Sequence, residues 1–311
     1  MLRQAGAELV SQFALVRADG LPSALLIWVT WMPISPASNA RSRFAEMVLR
    51  VDAQINLAEA ALLIAAEEYP RLDVELYLDR LDYFADLVRN QASDALKPTD
   101  LITALNATLF EHLGFHGNQD SYYDPRNSFL NEVIDRRTGI PITLTVVYIE
   151  VAKRIGFPVK GVGLPYHFIA KHESEDGDLF IDPFNAGGLL GSAGCDELIT
   201  RMSGGKLELR PEHLEAVTNK QILTRILSNL LGVYSASDHR RALSAIDRIL
   251  LINPDSASFI RDRGLLLGSV GDRTMAIAEL ERYLELVPNA PDAESIREQI
   301  KSIRQSQARL N

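Results

Sequence analysis

Arg137-Thr138-Gly139-Ile140-Pro141-Ile142-Thr143-Leu144-Thr145-Val146 opens a stretch that stays almost wholly apolar to Ile155 and stops at Gly156-Phe157-Pro158. Pro141 suits the first position of a helix, where its missing N–H costs nothing. The residues behind it, Ile142, Leu144, Val146, Val147, Tyr148, Ile149, Val151 and Ala152, leave hardly any polar face, so the helix must be buried. Lys153 and Arg154 fit its negative C-terminal end. A buried helix needs cover, and the next residues supply it as strands. Val159–Val162, Tyr166–Lys171 and Leu179–Ile181 have strand pattern, and polar Glu173–Asp178 reads as the hairpin turn between the last two. Gly187-Gly188 and Gly191–Gly194 read as loop.

This arrangement brings chemistry together. His167 and Asp182 fall on adjacent predicted strands, where a carboxylate can fix the tautomer of an imidazole. The positive end of the buried helix would point at the same spot. A thiol there would be activated by both effects, but the helix opens with Pro141, which has neither thiol nor hydroxyl. Taken alone, His167 reads more simply as a hydrogen-bonded core residue and Asp182 as a turn residue before Pro183.

Other candidates are weaker. Thr143 lies on a different helical face from Pro141, and its hydroxyl has a structural alternative in its own backbone. Cys195 is expected in a Gly/Ser/Ala loop, with no basic neighbour to lower its pKa. Asn127 and Asn131 sit one turn apart on an expected short helix after Pro125. They either cap and brace the loop or line the pocket of His167. His112 and His116 are four apart, but Gly114 between them suits a helix end and no acidic or Cys set accompanies them. No metal site and no cofactor is expected.

Upstream, residues 43–90 are helical in pattern. Asp52, Ile55, Leu57, Ala60, Ala61 and Ile64 make one stripe, and Val74, Tyr77, Leu78, Leu81, Phe84 and Leu87 another. A third helix is expected over Leu101–Leu113, capped by Thr99 or Asp100 and stopped by Gly114. Downstream, Arg240–Pro254 and Thr274–Pro288 match at an offset of 34 residues. The offset pairs Ala242 with Ala276, Ile246 with Leu280, Arg248 with Arg282, Leu250 with Leu284 and Ile252 with Leu286. A 34-residue period of paired helices with a closing Pro is the tetratricopeptide pattern. Two repeats are few for a free-standing solenoid, so they should lean on the preceding domain. Residues 291–306 read as a capping helix.

The 311 residues carry a net charge of −9, with 47% hydrophobic and 23% charged residues. That supports a sizeable core and argues against nucleic-acid binding, which relies on Lys and Arg. The single cysteine excludes an internal disulfide and fits a reducing compartment, so a cytoplasmic location is expected. The apolar run from Leu21 to Met32 is too short to span a bilayer. Residues before it include Glu8 and Asp19, unlike a signal peptide. The following Ser35–Ala40 reads as coil, and residues 1–40 are expected to be a disordered extension. The expected division is an extension over 1–40, a domain of mixed helices and strands with its helical lead-in over 41–220, and repeats with a capping helix over 221–311.

One resemblance draws these pieces together. Asp124-Pro125-Arg126-Asn127-Ser128-Phe129-Leu130-Asn131, Arg137–Ile142, His167-Phe168 and Asp182-Pro183-Phe184-Asn185, followed by the repeats, resemble the bacterial SirB family of transglutaminase-like proteins. The resemblance covers about residues 43–290. It implies an α+β, papain-like core with a helical lead-in and an all-α repeat pair. It aligns His167 and Asp182 with the second and third members of a Cys-His-Asp triad and Pro141 with the absent Cys. The expected function is that of a degenerate domain that binds a protein or peptide through its cleft and its repeats. The rival is a hydrolase or acyl transferase using His167 and Asp182 without a Cys. An open His167 would favour the enzyme; a His167 blocked by Tyr166 or Phe184 would count against it.

Overall fold

A computed structural model describes residues 36–92, 97–174 and 177–308. The apolar run at 21–32 lies outside them. The coil reading of 35–40 is corrected where it can be seen: α1 already starts at Pro36 and runs to Val48. Ala40, Phe44, Met47 and Val48 are buried along it, a one-sided stripe that holds the helix on the core. After a 3-10 turn over Asp52–Gln54, α2 (Leu57–Ala66) is buried at every position but Glu59. The Asn56 side chain caps it by accepting from the Glu59 N–H at 3.2 Å, a device that contributes about 1 kcal/mol.

Helix α3 (Val74–Gln91) is capped by Asp73 and buries Val74, Leu81, Phe84, Ala85 and Val88. Helix α4 starts earlier than expected, at Pro98, and runs to Asn106. The Asp100 carboxylate accepts from the Lys97 backbone N–H at 3.1 Å rather than capping from outside the helix. A π-turn over Ala107–His112 follows, and Gly114 ends it at φ 73°, where a Cβ would be strained. Two short pieces not foreseen, β1 (His116–Gly117) and β2 (Thr138–Gly139), pair in parallel around α5 (Leu130–Arg136).

The decisive helix forms as its sequence demands. α6 spans Pro141–Arg154, and every residue from Pro141 to Ala152 is buried. Its buried Glu150 is answered by Arg154 Nη1 at 2.6 Å, one turn on. Beside it lies a four-stranded antiparallel sheet in sequential order: β3 (Lys160–Val162), β4 (Ile169–His172), β5 (Leu179–Asp182) and β6 (Gly188–Leu190). Alternation divides the sheet's two faces. Phe168, Ala170 and Ile181 join the main core with α6. Val162, Ile169 and Phe180 pack instead with Cys195, Leu198 and Ile199 of α7 (Ser192–Ser203). Two loop readings are therefore corrected: Gly188 is in a strand, and Gly194 and Cys195 are in the first turns of a helix. Gly and Ser concealed the α7 start, which a second buried sheet face required.

The C-terminal helices are α8 (Asn219–Tyr234), α9 (His239–Ile252), α10 (Ala257–Val270), α11 (Arg273–Leu286) and α12 (Ala293–Ala308). The main core runs without a break from Ala40 through α8 and α9 to Ile252, across the expected boundary at 220/221. A second cluster joins Leu250, Ile260, Leu280, Tyr283, Ile296 and Ile300. The repeat-equivalent pairs Ala242/Ala276 and Ile246/Leu280 are all fully buried. Arg248 is buried too, whereas its equivalent Arg282 is half-buried. The difference arises because α9 packs on α1. There Arg248 Nη1 donates to the Ile64 carbonyl at 2.8 Å, and Arg41 forms a two-pronged bond with Glu67 at 2.9 and 2.7 Å. Burial alone would raise the Glu67 carboxyl, but the Arg41 hydrogen bond and the charge of Arg248 bring it below the usual range.

Candidate functional site

The site forms where the first turn of α6, the loop between β3 and β4 and the face of α8 meet. His167 is not on a strand as expected; it lies in the loop two residues before β4. That loop is tight: the His167 N–H donates to the Leu164 carbonyl at 3.2 Å, and Tyr166 sits at φ 62°. A left-handed non-glycine costs about 1–2 kcal/mol, so something must hold it. Arg225 of α8 does so, donating from Nη2 to the carbonyls of Leu164 and His167 at 3.1 and 2.8 Å. Its guanidinium also lies over the Phe168 ring, 5.4 Å from the centroid.

Asp182, the last residue of β5, is placed diagonally across the hairpin from His167. His167 Nε2 lies 2.9 Å from Asp182 Oδ2. Because a carboxylate only accepts, Nε2 carries the hydrogen. The same oxygen accepts from Asn185 Nδ2 at 2.7 Å, and Oδ1 accepts from the Phe184 N–H at 3.1 Å. Burial pushes the Asp182 carboxyl up, yet the His167 and Asn185 hydrogen bonds and the His167 charge leave it below its ordinary value. The dyad is thus formed, with the imidazole held in one tautomer and orientation.

What faces the other edge of the ring differs from the sequence expectations. His167 is 3% exposed, its Nδ1 has no hydrogen-bond partner, and Phe184 stands edge-on at 6.0 Å. The ring borders a cavity of about 20 Å³, lined by Tyr122, Pro141, Ile142, Tyr166, Phe168, Arg225 and Asn229. That is room for one small atom such as a water oxygen. Pro141 stands at this cavity, as the sequence indicated. Thr143 does not: its hydroxyl donates to the Asn127 carbonyl at 2.7 Å and accepts from the Ile140 N–H at 3.2 Å. Asn127 is not a cap and is not among the residues lining the His167 cavity. Its amide donates to the Ser121 and Tyr122 carbonyls at 2.8 and 3.1 Å, bracing the loop that carries Tyr122. Asn131 sits on α5, not with Asn127 on one helix, and is buried away from the cavity lining.

Cys195 is no substitute nucleophile. It is buried, and burial together with the charge of Asp182 pushes its thiol up to about 11. Among the described residues no group of three or more His, Cys, Asp or Glu is placed to hold a metal ion. The ring of His116 meets the Gly114 carbonyl and the Thr138 hydroxyl. The sequence reading overlooked Arg225 and Asn229. Arg225 does leave a sequence signal: it is a cation inside the apolar stripe Ile222, Leu223, Ile226, Leu227 and Leu230.

The class follows from these features: a transglutaminase-like core joined to tetratricopeptide repeats. A profile of the Transglutaminase-like superfamily matches residues 75–228, and one of the tetratricopeptide repeat matches 232–301. A UPF0162 protein of Xylella fastidiosa (strain Temecula1) is 40% identical over 251 residues, which are 79% of this chain and 89% of the relative. Protein SirB1 of Salmonella typhimurium is 27% identical over 255 residues, 80% of this chain and 94% of that protein. The UPF0162 protein YchA of Escherichia coli K12 is 27% identical over 238 residues, 76% and 87% of the two chains. The chain belongs to the UPF0162 family, which includes SirB1.

Proposed function

We propose that this protein binds a protein or peptide partner and does not turn over a substrate at the His167–Asp182 site. The observation that carries the reading is that, among the described residues, no thiol and no Ser or Thr lines the cavity beside the dyad. Pro141 occupies the helix start, the Thr143 hydroxyl is committed to Asn127, and the Cys195 thiol is buried on the far sheet face. Acyl transfer through a covalent intermediate needs an attacking group within hydrogen-bond reach of its base. The burial of His167, with Phe184 edge-on to its ring, supports the same reading.

Tetratricopeptide repeats favour protein binding, and here they offer a recess. Between α11 and α12 a cavity of about 320 Å³ is lined by Leu284, Ile300, Arg297, Lys301, Arg304 and Glu281. An apolar floor with a mainly basic rim suits an amphipathic segment of a partner. Among the described residues no helix is long and apolar enough to cross a membrane. The test combines two readings on the purified chain. Amine incorporation into a glutamine peptide and hydrolysis of an activated ester should stay at the buffer rate. A partner captured on the immobilised protein should be lost with Leu284→Glu and Lys301→Glu. Turnover that disappears in His167→Ala would overturn the proposal.

A further inference from the structure

The cavity at His167 has the donors of an anion site and no carboxylate among the residues that line it; Asp182 lies on the ring's other edge. Arg225 is the first sign. It makes no ion pair among the described residues; its hydrogen bonds there go to two carbonyls. Burial draws the guanidinium down from its ordinary value, the mark of a cation taken out of water without a carboxylate beside it. The helix start is the second. Ile142, which lines the cavity, is the second residue of the 14-residue α6. Its N–H has no carbonyl four residues back within the helix, and the positive end of the macrodipole lies there. The third is independent of both. His167 is more than nine-tenths buried, its Nε2 is taken by Asp182, and the opposite nitrogen, Nδ1, is unpartnered on the ring that borders the same cavity. A buried polar atom left without a partner is costly, and a ligand would relieve that cost.

We propose that this cavity is a carboxylate-binding subsite, in which one ligand oxygen occupies the space between His167 Nδ1, the α6 N-terminus and Arg225. This rests on the non-catalytic reading and names what the remnant cleft recognises. A proton on Nδ1 makes the ring a donor to the ligand oxygen, while Asp182 continues to accept from Nε2. The charged or titratable groups around the ring are then Asp182 from β5, Arg225 from α8, and Tyr122 and Tyr166 from the two loops. Cys195 on α7 lies behind Asp182. The carboxylate would come from a peptide, as an acidic side chain or as the peptide's terminal carboxylate. Exposed Tyr122, Tyr123 and Tyr166 provide flat apolar surface beside the opening for the flanking residues. The cavity's 20 Å³ admits a single ligand oxygen.

The experiment is a titration of the full-length protein, ¹⁵N-labelled, watching the His167 ring nitrogens and the Ile142 amide. Three probes are used: N-acetylglutamic acid α-amide, which carries only a side-chain carboxylate; N-acetylglycine, which carries only a terminal one; and neutral acetamide. Saturable shifts at both reporters with one or both carboxylates, and none with acetamide, are expected. The stronger carboxylate identifies the source. Arg225→Met should weaken binding on the order of tenfold or more, and Arg225→Lys should recover most of it. Equal shifts with acetamide, or no saturable shift with either carboxylate on the wild-type protein, would overturn the subsite and leave the non-catalytic reading standing. Mass spectrometry of the same samples separates the two ideas. Hydrolysis of acetamide, or of the α-amide of the glutamic acid probe, to the carboxylate and ammonia would overturn the non-catalytic reading while the saturable shifts still support carboxylate binding.

Discussion

At the scale of single residues, the question is whether His167 still faces the spot where a thiol would be activated. Pro141 and His167 border one small cavity, and the imidazole is held by Asp182 at 2.9 Å. Pro141→Cys is therefore expected to create a reactive thiol. At a helix N-terminus beside a histidine, cysteine pKa values fall to roughly 3.5–7.5. Alkylation by iodoacetamide, followed against pH, should show the introduced thiol reacting well below pH 8. Cys195, pushed up to about 11, should stay unmodified in the folded protein. An introduced thiol that titrates near 8.5 would mean that the free ring edge points elsewhere. Asp182→Asn tests the other side of the ring. It replaces a carboxylate that accepts from His167, Asn185 and the Phe184 N–H. A loss of about 2 kcal/mol is expected, read as a lower urea midpoint with unchanged slope.

At the scale of elements, legibility in the sequence tracks where the signal is periodic. The buried helix from Pro141 was readable because nearly every face is apolar. The repeat pair was readable because positions 34 apart share a type. The strand segments were placed to within a few residues, yet His167 fell outside its strand, because alternation in 166–171 cannot reveal that Tyr166 takes a left-handed conformation. The α7 start was hidden by Gly191-Ser192-Ala193-Gly194, since the demand for that helix comes from the far face of a sheet. Arg225 and Asn229 belong to the site only through tertiary contact, which local pattern does not carry. A prediction at this scale concerns the join of α9 to the lead-in. Arg248 is 2% exposed and bonds the Ile64 carbonyl near the end of α2. Glu67, just beyond α2, lies within 3.7 Å of Arg248 Nε. Arg248→Met removes the bond to Ile64 and one of the two cations on Glu67, which keeps its Arg41 pair; a loss of about 2–3 kcal/mol is expected. Glu67→Gln, which gives up both cations, should cost less in the Arg248→Met background than in the wild type. A double-mutant cycle measured by urea unfolding checks it, and strictly additive losses would count against coupling of the pair.

At the scale of the whole molecule, two buried carboxylates tie stability to pH in one direction and a third opposes them. Asp182 and Glu67 both have folded-state pKa values below their ordinary 3.8 and 4.5. Burial disfavours their charge, but hydrogen bonds from His167 and Asn185 in one case, and from Arg41 with the charge of Arg248 in the other, outweigh it. For such groups the unfolded chain binds protons first as pH falls. Their stabilisation is complete above about pH 5 and is lost as pH drops through the lowered folded values. Asp247 goes the other way. Burial raises its carboxyl despite nearby Arg41 and Arg263, so its ionised form costs stability at neutral pH and protonation relieves that cost. Asp124, Glu173 and Asp292 are lowered as well, so Asp247 is opposed by every other shifted carboxylate among the described residues and a net fall on acidification is expected. The melting temperature should hold between pH 7 and about 5 and decline steadily towards pH 3. Asp247→Asn should steepen that decline by removing the opposing group. Glu67→Gln and Asp182→Asn should each make it shallower from a lower starting value. Calorimetric scans at half-unit steps read all four curves. A wild-type melting temperature that rises between pH 5 and 3.5 would mean that Asp247 dominates, and that the Arg41–Glu67 and His167–Asp182 contacts contribute little as charged pairs.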